Sequence, residues 1–201
     1  RMIDADARST IPGVHVIGEL SGGVRGPDRP GGNSLAEGQV FGHRAGDAAG
    51  RAALAGHQTR SELAGEAVIE RLRRALAPNP DLQVEQSTRA LQAAMQRYAL
   101  VEKNEAGLTE ALGLAKRIEA DTTEAGGATA DTLASVLTLQ NMATTASLIL
   151  EACLERKETR SGHLRTDYPQ KDDARYGHAF VQTRADDGRS RFSPLVYPAA
   201  D

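Results

Sequence analysis

The sequence has no tryptophan, only one cysteine, and an aromatic content of 3% in 201 residues. A single cysteine, Cys153, excludes a disulfide framework and an iron–sulfur or cysteine-rich metal site built from this chain alone. With so few aromatic side chains, a hydrophobic core has to be built from alanine, leucine, valine and isoleucine. We therefore expect Cys153 to be a small buried residue of a helix, and the cysteine usage indicates a reducing, cytoplasmic compartment.

The sequence also lacks a continuous apolar run approaching the roughly 20 residues that a membrane-spanning helix needs. It shows no signal peptide. Its formal net charge of −3 does not favour nucleic acid or an anionic membrane surface as the main partner. The five histidines are scattered without the paired spacing of metal ligands, so no metal site is predicted.

Glycine is concentrated in one stretch, between Gly18 and Gly42, which holds eight of the 20 glycines. Before it, the β-branched run Val14–Gly18 predicts a buried strand. After it, a helix is predicted to begin at Asn33 or Ser34, since either side chain is a good N-cap. The order of strand, glycine-rich stretch and helix places the carboxylate of Glu19 at the end of a strand, where α/β folds bind ligands.

The chemistry of such a stretch favours a flat, electron-rich ligand. Glycines let the backbone come close to it, and the helix start presents unpaired N–H groups with a partial positive charge. The carboxylate of Glu19 would accept hydrogen bonds from hydroxyl groups, and Arg29 could hold a carboxylate through both edges of its guanidinium. The alternative is a surface loop followed by an ordinary helix.

Beyond residue 58 the sequence predicts helices, with three of them in an antiparallel, spectrin-repeat-like three-helix bundle. The tail predicts a β-hairpin about Asp187-Gly188. The chain is thus expected to be mainly α, with parts 1–58, 59–157 and 158–201. The helices are predicted over 61–76, from Leu91 to Val101, from Leu108 to Ile118 after an Asn104 cap, and from Leu133 to about Arg156 after a Thr129 or Asp131 cap.

Two separated motifs resemble one family of proteins. The first consists of Gly18-Glu19, Gly26, Arg29, Gly31-Gly32-Asn33-Ser34-Leu35, Val40-Phe41-Gly42 and Ala45-Gly46. The second runs from Glu158 to Pro169 as ETRSGHLRTDYP, with Asp172-Asp173 after it. In this order, with helices between them, the motifs resemble the C-terminal part of the succinate dehydrogenase/fumarate reductase flavoprotein family, which includes L-aspartate oxidase.

The resemblance implies roles for the first motif. Glu19 would hold FAD hydroxyl groups, and Asn33, Ser34 and Leu35 would bind the cofactor at the helix start, with the last two facing the pyrimidine side of the flavin. Arg29 would bind one carboxylate of a dicarboxylate substrate. No catalytic residue is implied within this chain.

The chain has no GxGxxG after a strand and no capping domain, and it opens in what looks like the middle of a domain. We therefore expect the C-terminal portion of a longer or split flavoprotein, inactive by itself. Its partners would be a dicarboxylate and the rest of the flavoprotein. The resemblance is also compatible with an iron–sulfur partner subunit and with a homodimer. Partner subunits could hold the protein at the inner face of a membrane.

Three readings of the function stay open. This chain departs from the family pattern at three positions of the first motif, with Arg25, Asp28 and Pro30 where the family usually has His, Asn and Leu. Asp28 would compete with a substrate carboxylate for Arg29. Succinate/fumarate and aspartate chemistry therefore both remain, as does a non-catalytic helical interaction module. In the second motif, His163, Arg165, Asp167 and Tyr168 are interpreted as a buried ion-pair knot that ties the tail to the flavin domain, and a direct catalytic role is the alternative.

Overall fold

A computed structural model of the chain describes residues 3–22, 24, 32–56 and 64–195. The chain divides into two compact units, Arg1–Glu62 and Leu63–Asp201, which are described separately below. The predicted three-part division of the chain stays a prediction. Arg29, the predicted substrate-binding residue, lies outside the described residues.

The first unit contains a 3₁₀ turn, Gly18–Leu20, and one long helix, α1, Asn33–Leu54. Helix α1 is rich in glycine and alanine, as predicted, and it buries Ala45 and Ala48. Its small residues let the preceding segment come close, because a Cβ placed on Gly42 would lie 3.7 Å from Ile17 Cδ1. The 3₁₀ turn that carries Glu19 thereby packs against α1.

The predicted strand at Val14–Gly18 is wrong. The described backbone forms a single antiparallel β-bridge here, between Arg8 and His15, and turns at Gly18 into the 3₁₀ conformation. A strand needs a hydrogen-bonding neighbour along its length. Within the described residues this segment has one only around the bridge, where Ser9 N–H donates to Val14 O and Val16 N–H donates to Ala7 O, each at 2.9 Å. Val16 is buried, whereas Ile17 is 45% exposed.

Within residues 64–195, the second unit contains four main helices, a one-turn helix and two pairs of short strands. The helix predictions and the hairpin about Asp187-Gly188 are confirmed, with helix boundaries that differ by up to seven residues, since the helix predicted from Leu91 begins at Val84. The helices are α2 Ala64–Leu76, α3 Val84–Tyr98, α4 Glu105–Glu124, α5 Leu133–Glu155 and α6 Asp173–Tyr176. Strands β1 Glu102–Lys103 and β2 Leu164–Arg165 pair in parallel, and β3 Phe180–Arg184 and β4 Ser190–Pro194 pair antiparallel.

Helices α4 and α5 are antiparallel and form the centre of the core. Lys116 Nζ lies 2.6 Å from Glu151 Oε1, and further along, Gln140 Nε2 donates to Thr123 Oγ1 at 3.2 Å, so the two helices run in opposite directions. The buried residues between the helices are mostly leucine and alanine: Leu91, Leu108, Ala111, Ala115, Ile118, Leu139, Ala143, Ala146 and Leu150. Because α2 also packs against α4 and α5, the predicted three-helix bundle stays a prediction.

Among the described helices, α5 is long and apolar enough to cross a membrane by length and composition alone. Its composition has another explanation, since α5 is the central helix of the core and packs against α2, α3 and α4. It buries Val136, Leu139, Ala143, Ala146, Ser147 and Leu150. Cys153 lies near its end and is half-buried, and burial raises the pKa of the thiol.

The ends of the helices test the predicted caps. The Asn104 cap is confirmed, because its side chain accepts a hydrogen bond of 2.9 Å from the Gly107 N–H. The predicted cap of α5 is wrong, since Thr132 occupies that position. The Thr132 hydroxyl instead accepts the N–H of Thr129 at 2.9 Å, which closes a turn just before the helix.

A glycine loop between α4 and α5 caps the end of α2. The N–H of Gly126 donates to Arg74 O at 2.9 Å, and the N–H of Gly127 donates to Ala77 O at 2.8 Å. Arg74 belongs to the last turn of α2, whose carbonyls have no N–H four residues on within the helix, and Ala77 is the residue that follows the helix. Gly127 has φ +62°, a conformation that glycine adopts without steric cost.

We expect Gly126→Ala to lower the free energy of unfolding by about 1–3 kcal/mol, the usual cost of overpacking a close contact. A Cβ there would lie 2.5 Å from Ala75 O and 2.6 Å from Val136 Cγ1. Urea denaturation measures the change. Gly113→Ala is the matched control, because a Cβ there meets only the flexible end of Arg117, at 3.6 Å. Equal stability of both variants and the parent would contradict the tight approach of this loop to α2.

Candidate functional site

The first turn of α1 holds three of the predicted cofactor-binding residues. Asn33 and Leu35 are exposed, Leu35 to 78%, and Ser34 is half-buried. The prediction that Asn33 or Ser34 caps the helix is wrong, because Gly32 is the N-cap and Asn33 is already helical. Gly32 has φ +87°, where a side chain would be strained, which explains why glycine stands there.

The start of α1 is suited to an electron-rich group. The cap residue Gly32 has no side chain to accept a hydrogen bond, and the first turn carries no acidic residue. The Leu35 N–H donates to Gly32 O at 3.0 Å, which is the first hydrogen bond of the helix. The N–H groups of Asn33 and Ser34 come before this bond in the chain. Together with the helix dipole, they present a partial positive charge to whatever lies before the helix.

Glu19 lies on the 3₁₀ turn and its side chain is exposed. The turn is held by Ser21, whose hydroxyl donates to Gly18 O at 2.5 Å and whose N–H donates to the same carbonyl at 3.0 Å. Since this turn packs against α1, the structure brings Glu19 and the first turn of α1 into one unit. It gives no position for Arg29.

A second cluster of charged side chains lies in the tail, around Glu158, whose exposed fraction is 0%. Its carboxylate accepts hydrogen bonds from Arg156 Nη1 at 2.5 Å and from Arg160 Nε at 2.7 Å. The backbone N–H of Asp172 donates to the same carboxylate at 2.8 Å. A buried carboxylate is therefore matched by two guanidinium groups and an amide, as a buried charge requires.

Arg165 is the other buried charge of the tail, also with an exposed fraction of 0%. Its Nε and Nη2 donate to the two carboxylate oxygens of Asp167, each at 2.8 Å. Its Nη1 donates to Cys153 O at 2.8 Å, near the end of α5. Asp167 in turn accepts the Glu105 N–H at 2.8 Å, so that the pair joins the end of α5 to the start of α4.

His163 and Tyr168 complete this cluster. His163 Nε2 donates to Arg156 O at 2.9 Å, and the guanidinium of Arg165 lies 4.8 Å from the centre of the Tyr168 ring. Burial lowers the pKa of His163. The bond to Arg156 O opposes this, while the positive charges of Lys103, Arg165 and Arg156 add to the lowering. Through its bond to Arg156 O, His163 holds the backbone at the end of α5.

The two carboxylates of the cluster are held ionised. Burial alone would raise the pKa of Glu158, but the bonds from Arg160, the Asp172 N–H and Arg156 lower it to about 2. The bidentate bond from Arg165 lowers the pKa of Asp167 to about 2, against the opposing effect of burial. Both groups therefore act as permanent negative charges near neutral pH.

The predicted buried ion-pair knot is confirmed, but its described partners all belong to the second unit. The proposed tie to the flavin domain stays a prediction. Sequence analysis gave Glu158 no role. The alternating charges of Arg156, Glu158 and Arg160 could have indicated an ion-pair cluster there. Among the described residues, no group of three or more His, Cys, Asp or Glu side chains could hold a metal ion.

Comparison with known proteins assigns most of the second unit. Residues 88–197 match the family described as fumarate reductase flavoprotein C-term. One subunit of the fumarate reductase (CoM/CoB) of Methanothermobacter marburgensis is 32% identical over 184 residues, 84% of this chain and 31% of that protein. L-aspartate oxidase of Caulobacter vibrioides is 37% identical over 170 residues, 84% of this chain and 27% of that protein.

A solved structure shows the same fold over almost the whole chain. Sdh1 of Mycobacterium smegmatis superposes with a TM-score of 0.76 and 25% identity, covering 99% of this chain and 35% of that one. The chain spans less than a third of the length of the Methanothermobacter and Caulobacter relatives, 31% and 27%. The predicted resemblance to a C-terminal part is thereby confirmed.

Proposed function

This chain belongs to the fumarate reductase flavoprotein C-terminal family, and on that premise we propose that it is the C-terminal portion of an FAD-dependent oxidoreductase. The complete protein would interconvert succinate and fumarate, or a related dicarboxylate. The observation that carries the proposal is the family match over residues 88–197, which includes the buried ion-pair cluster of the tail. FAD would supply the hydride transfer, and this portion alone is expected to be inactive.

The residues at the start of α1 fit the cofactor that the family implies. We place Ser34 and Leu35 against the pyrimidine side of the flavin, with the N–H groups of Asn33 and Ser34 directed at it, because the Leu35 N–H is already donated to Gly32 O. Reduction of a flavin gathers negative charge at that side of the ring, where a helix start without acidic residues is favourable. Glu19 would accept hydrogen bonds from the cofactor's hydroxyl groups, and its exposure on the neighbouring turn agrees with this role.

We further propose that Arg29 binds one carboxylate of the substrate. A guanidinium offers two parallel N–H donors to a carboxylate, which fixes the orientation of a dicarboxylate as well as its affinity. Asp28 beside it would weaken this contact or select among substrates. A second candidate activity, L-aspartate oxidation, is supported by the 37% identity to the Caulobacter enzyme.

The partners follow from the same proposal. The remainder of the flavoprotein would contribute the pyrophosphate site and the capping domain. Because the Methanothermobacter relative is one subunit of an assembly, we also propose an iron–sulfur partner subunit, which would hold the protein at the inner face of a membrane from the cytoplasmic side. A homodimer is the alternative assembly for an aspartate oxidase.

We expect Ser34→Asp to lower the midpoint potential of the flavin in the complete protein by roughly 30 mV or more, equivalent to roughly 1.4 kcal/mol for two electrons. A carboxylate at the helix start would oppose the negative charge that the ring gains on reduction. Potentiometric titration followed by flavin absorbance gives the value. Ala49→Asp, an exposed position further along the same helix, is the control. An unchanged potential in the FAD-loaded Ser34→Asp protein would contradict the placement of the flavin.

A further inference from the structure

A polar cleft of about 760 Å³ lies in the second unit, where α2, α4, α5 and strand β3 meet. Its lining includes Arg71, Lys116, Glu119, Gln140, Asn141 and Arg184. A neighbouring hollow of about 360 Å³ shares Arg71, Thr123 and Gln140 with it and extends along α2. The two together form a trough rather than a closed pocket.

The trough is cationic on a chain whose net charge is −3. Among the described residues, the larger cleft is lined by Arg71, Lys116 and Arg184 from three different elements and by one carboxylate, Glu119. The hollow adds Arg74 and Glu70, which pair with each other at 3.0 Å. Glu119 accepts the Thr144 hydroxyl at 2.9 Å. Lys116 is held by Glu151, at 2.6 Å, while Arg71 and Arg184 have no carboxylate partner among the described residues.

Arg71 is the best-oriented of these cations. Its Nε donates to Gln140 Oε1 at 2.8 Å, and its Nη2 donates to Asn141 Oδ1 at 2.6 Å. The amide of Gln140 is itself fixed, because its Nε2 donates to Thr123 Oγ1 at 3.2 Å. Neutral amide oxygens orient a guanidinium without neutralising it, and they leave its Nη1 edge for a further acceptor.

We propose that this trough is a docking site for an acidic segment of a partner protein, with Arg71 as its principal contact. An oriented guanidinium edge is matched by a carboxylate, and such charge-assisted bonds are stronger than neutral ones. Small-ligand sites are mostly apolar and enclose their ligand. An open, polar trough with cations along its length is instead matched by an extended chain that carries several carboxylates.

The test uses the full chain and a short fluorescein-labelled oligoglutamate peptide, with fluorescence anisotropy at low salt as the readout. We expect binding that Arg71→Ala weakens at least tenfold, because it removes the oriented guanidinium. Asn141→Asp is expected to weaken binding as strongly while preserving the fold, since it places a competing carboxylate at the atom that already contacts Arg71. Circular dichroism confirms that both variants are folded.

Arg89→Ala is the matched control, because it removes the same charge at an exposed residue that pairs with Glu85 and lines neither the cleft nor the hollow. Equal weakening by Arg71→Ala and Arg89→Ala would show a general charge effect and overturn the proposal. Absence of peptide binding would overturn it as well. So would binding of inorganic phosphate without peptide binding, which would indicate a small-anion site.

Discussion

Glu158→Gln is expected to lower the free energy of unfolding by about 3–5 kcal/mol, because it leaves two guanidinium groups without their shared buried carboxylate. Glu158 contacts both Arg156 and Arg160 and also accepts the Asp172 N–H. The substitution keeps the shape of the side chain. The change in the free energy of unfolding therefore comes from the lost charge and not from a cavity. Urea or thermal denaturation, followed by circular dichroism, measures the change.

Glu85→Gln provides the matched control for this prediction. Glu85 also pairs with an arginine, Arg89, but both side chains are largely exposed. Exposed pairs of this kind contribute about 0.2–1 kcal/mol. If Glu158→Gln cost no more than Glu85→Gln, the tail cluster would not be a stabilising element of the second unit.

Glu158 also makes the stability of the chain depend on pH. Folding lowers the pKa of Glu158 from its ordinary value of 4.5 to about 2. A carboxyl group whose pKa falls on folding contributes stability that is complete above the unfolded pKa. That contribution is lost as the pH falls from about 4.5 towards 2. The free energy of unfolding should therefore decrease less on acidification in Glu158→Gln than in the parent protein.

Arg29→Ala in the complete protein is expected to weaken dicarboxylate binding by about 2–5 kcal/mol, the cost of removing one partner of a buried charged pair. Equilibrium titration of the FAD-loaded protein with succinate, fumarate and aspartate measures the loss and identifies the preferred dicarboxylate. The flavin should remain bound, because Arg29 is proposed to contact the substrate and not the cofactor.

Arg51→Ala is the control for this substitution, since Arg51 is an exposed residue of α1 that pairs with Asp47. It should leave dicarboxylate binding unchanged. Unchanged binding and turnover in Arg29→Ala would remove its proposed role. That result would favour the remaining alternative, a helical interaction module without catalysis.

The features that sequence analysis predicted well are local ones. Asn104 caps α4 through a contact three residues away. The Asp187-Gly188 pair forms the hairpin turn through the conformation that glycine allows, φ +79°. Helix positions followed from the spacing of apolar residues, and none of these features needs a distant part of the chain.

The features that it missed depend on distant partners or on backbone conformation. Val14–Gly18 has the composition of a strand, but a strand forms only beside a neighbour, which the described residues offer at one point. The cap of α1 is Gly32 because the turn requires a positive φ, and residue preference alone favoured Asn33 or Ser34. The partners of Glu158 include an amide 14 residues away, which no spacing rule identifies.

The central claim is that the first turn of α1 binds the flavin ring, and a crystal structure of the complete protein with FAD tests it most directly. The account predicts that the Ser34 N–H lies within hydrogen-bond distance of a pyrimidine carbonyl of the isoalloxazine, with Leu35 against that side of the ring. A helix start that faced bulk solvent, or that other parts of the protein covered with no ring beside it, would contradict the claim.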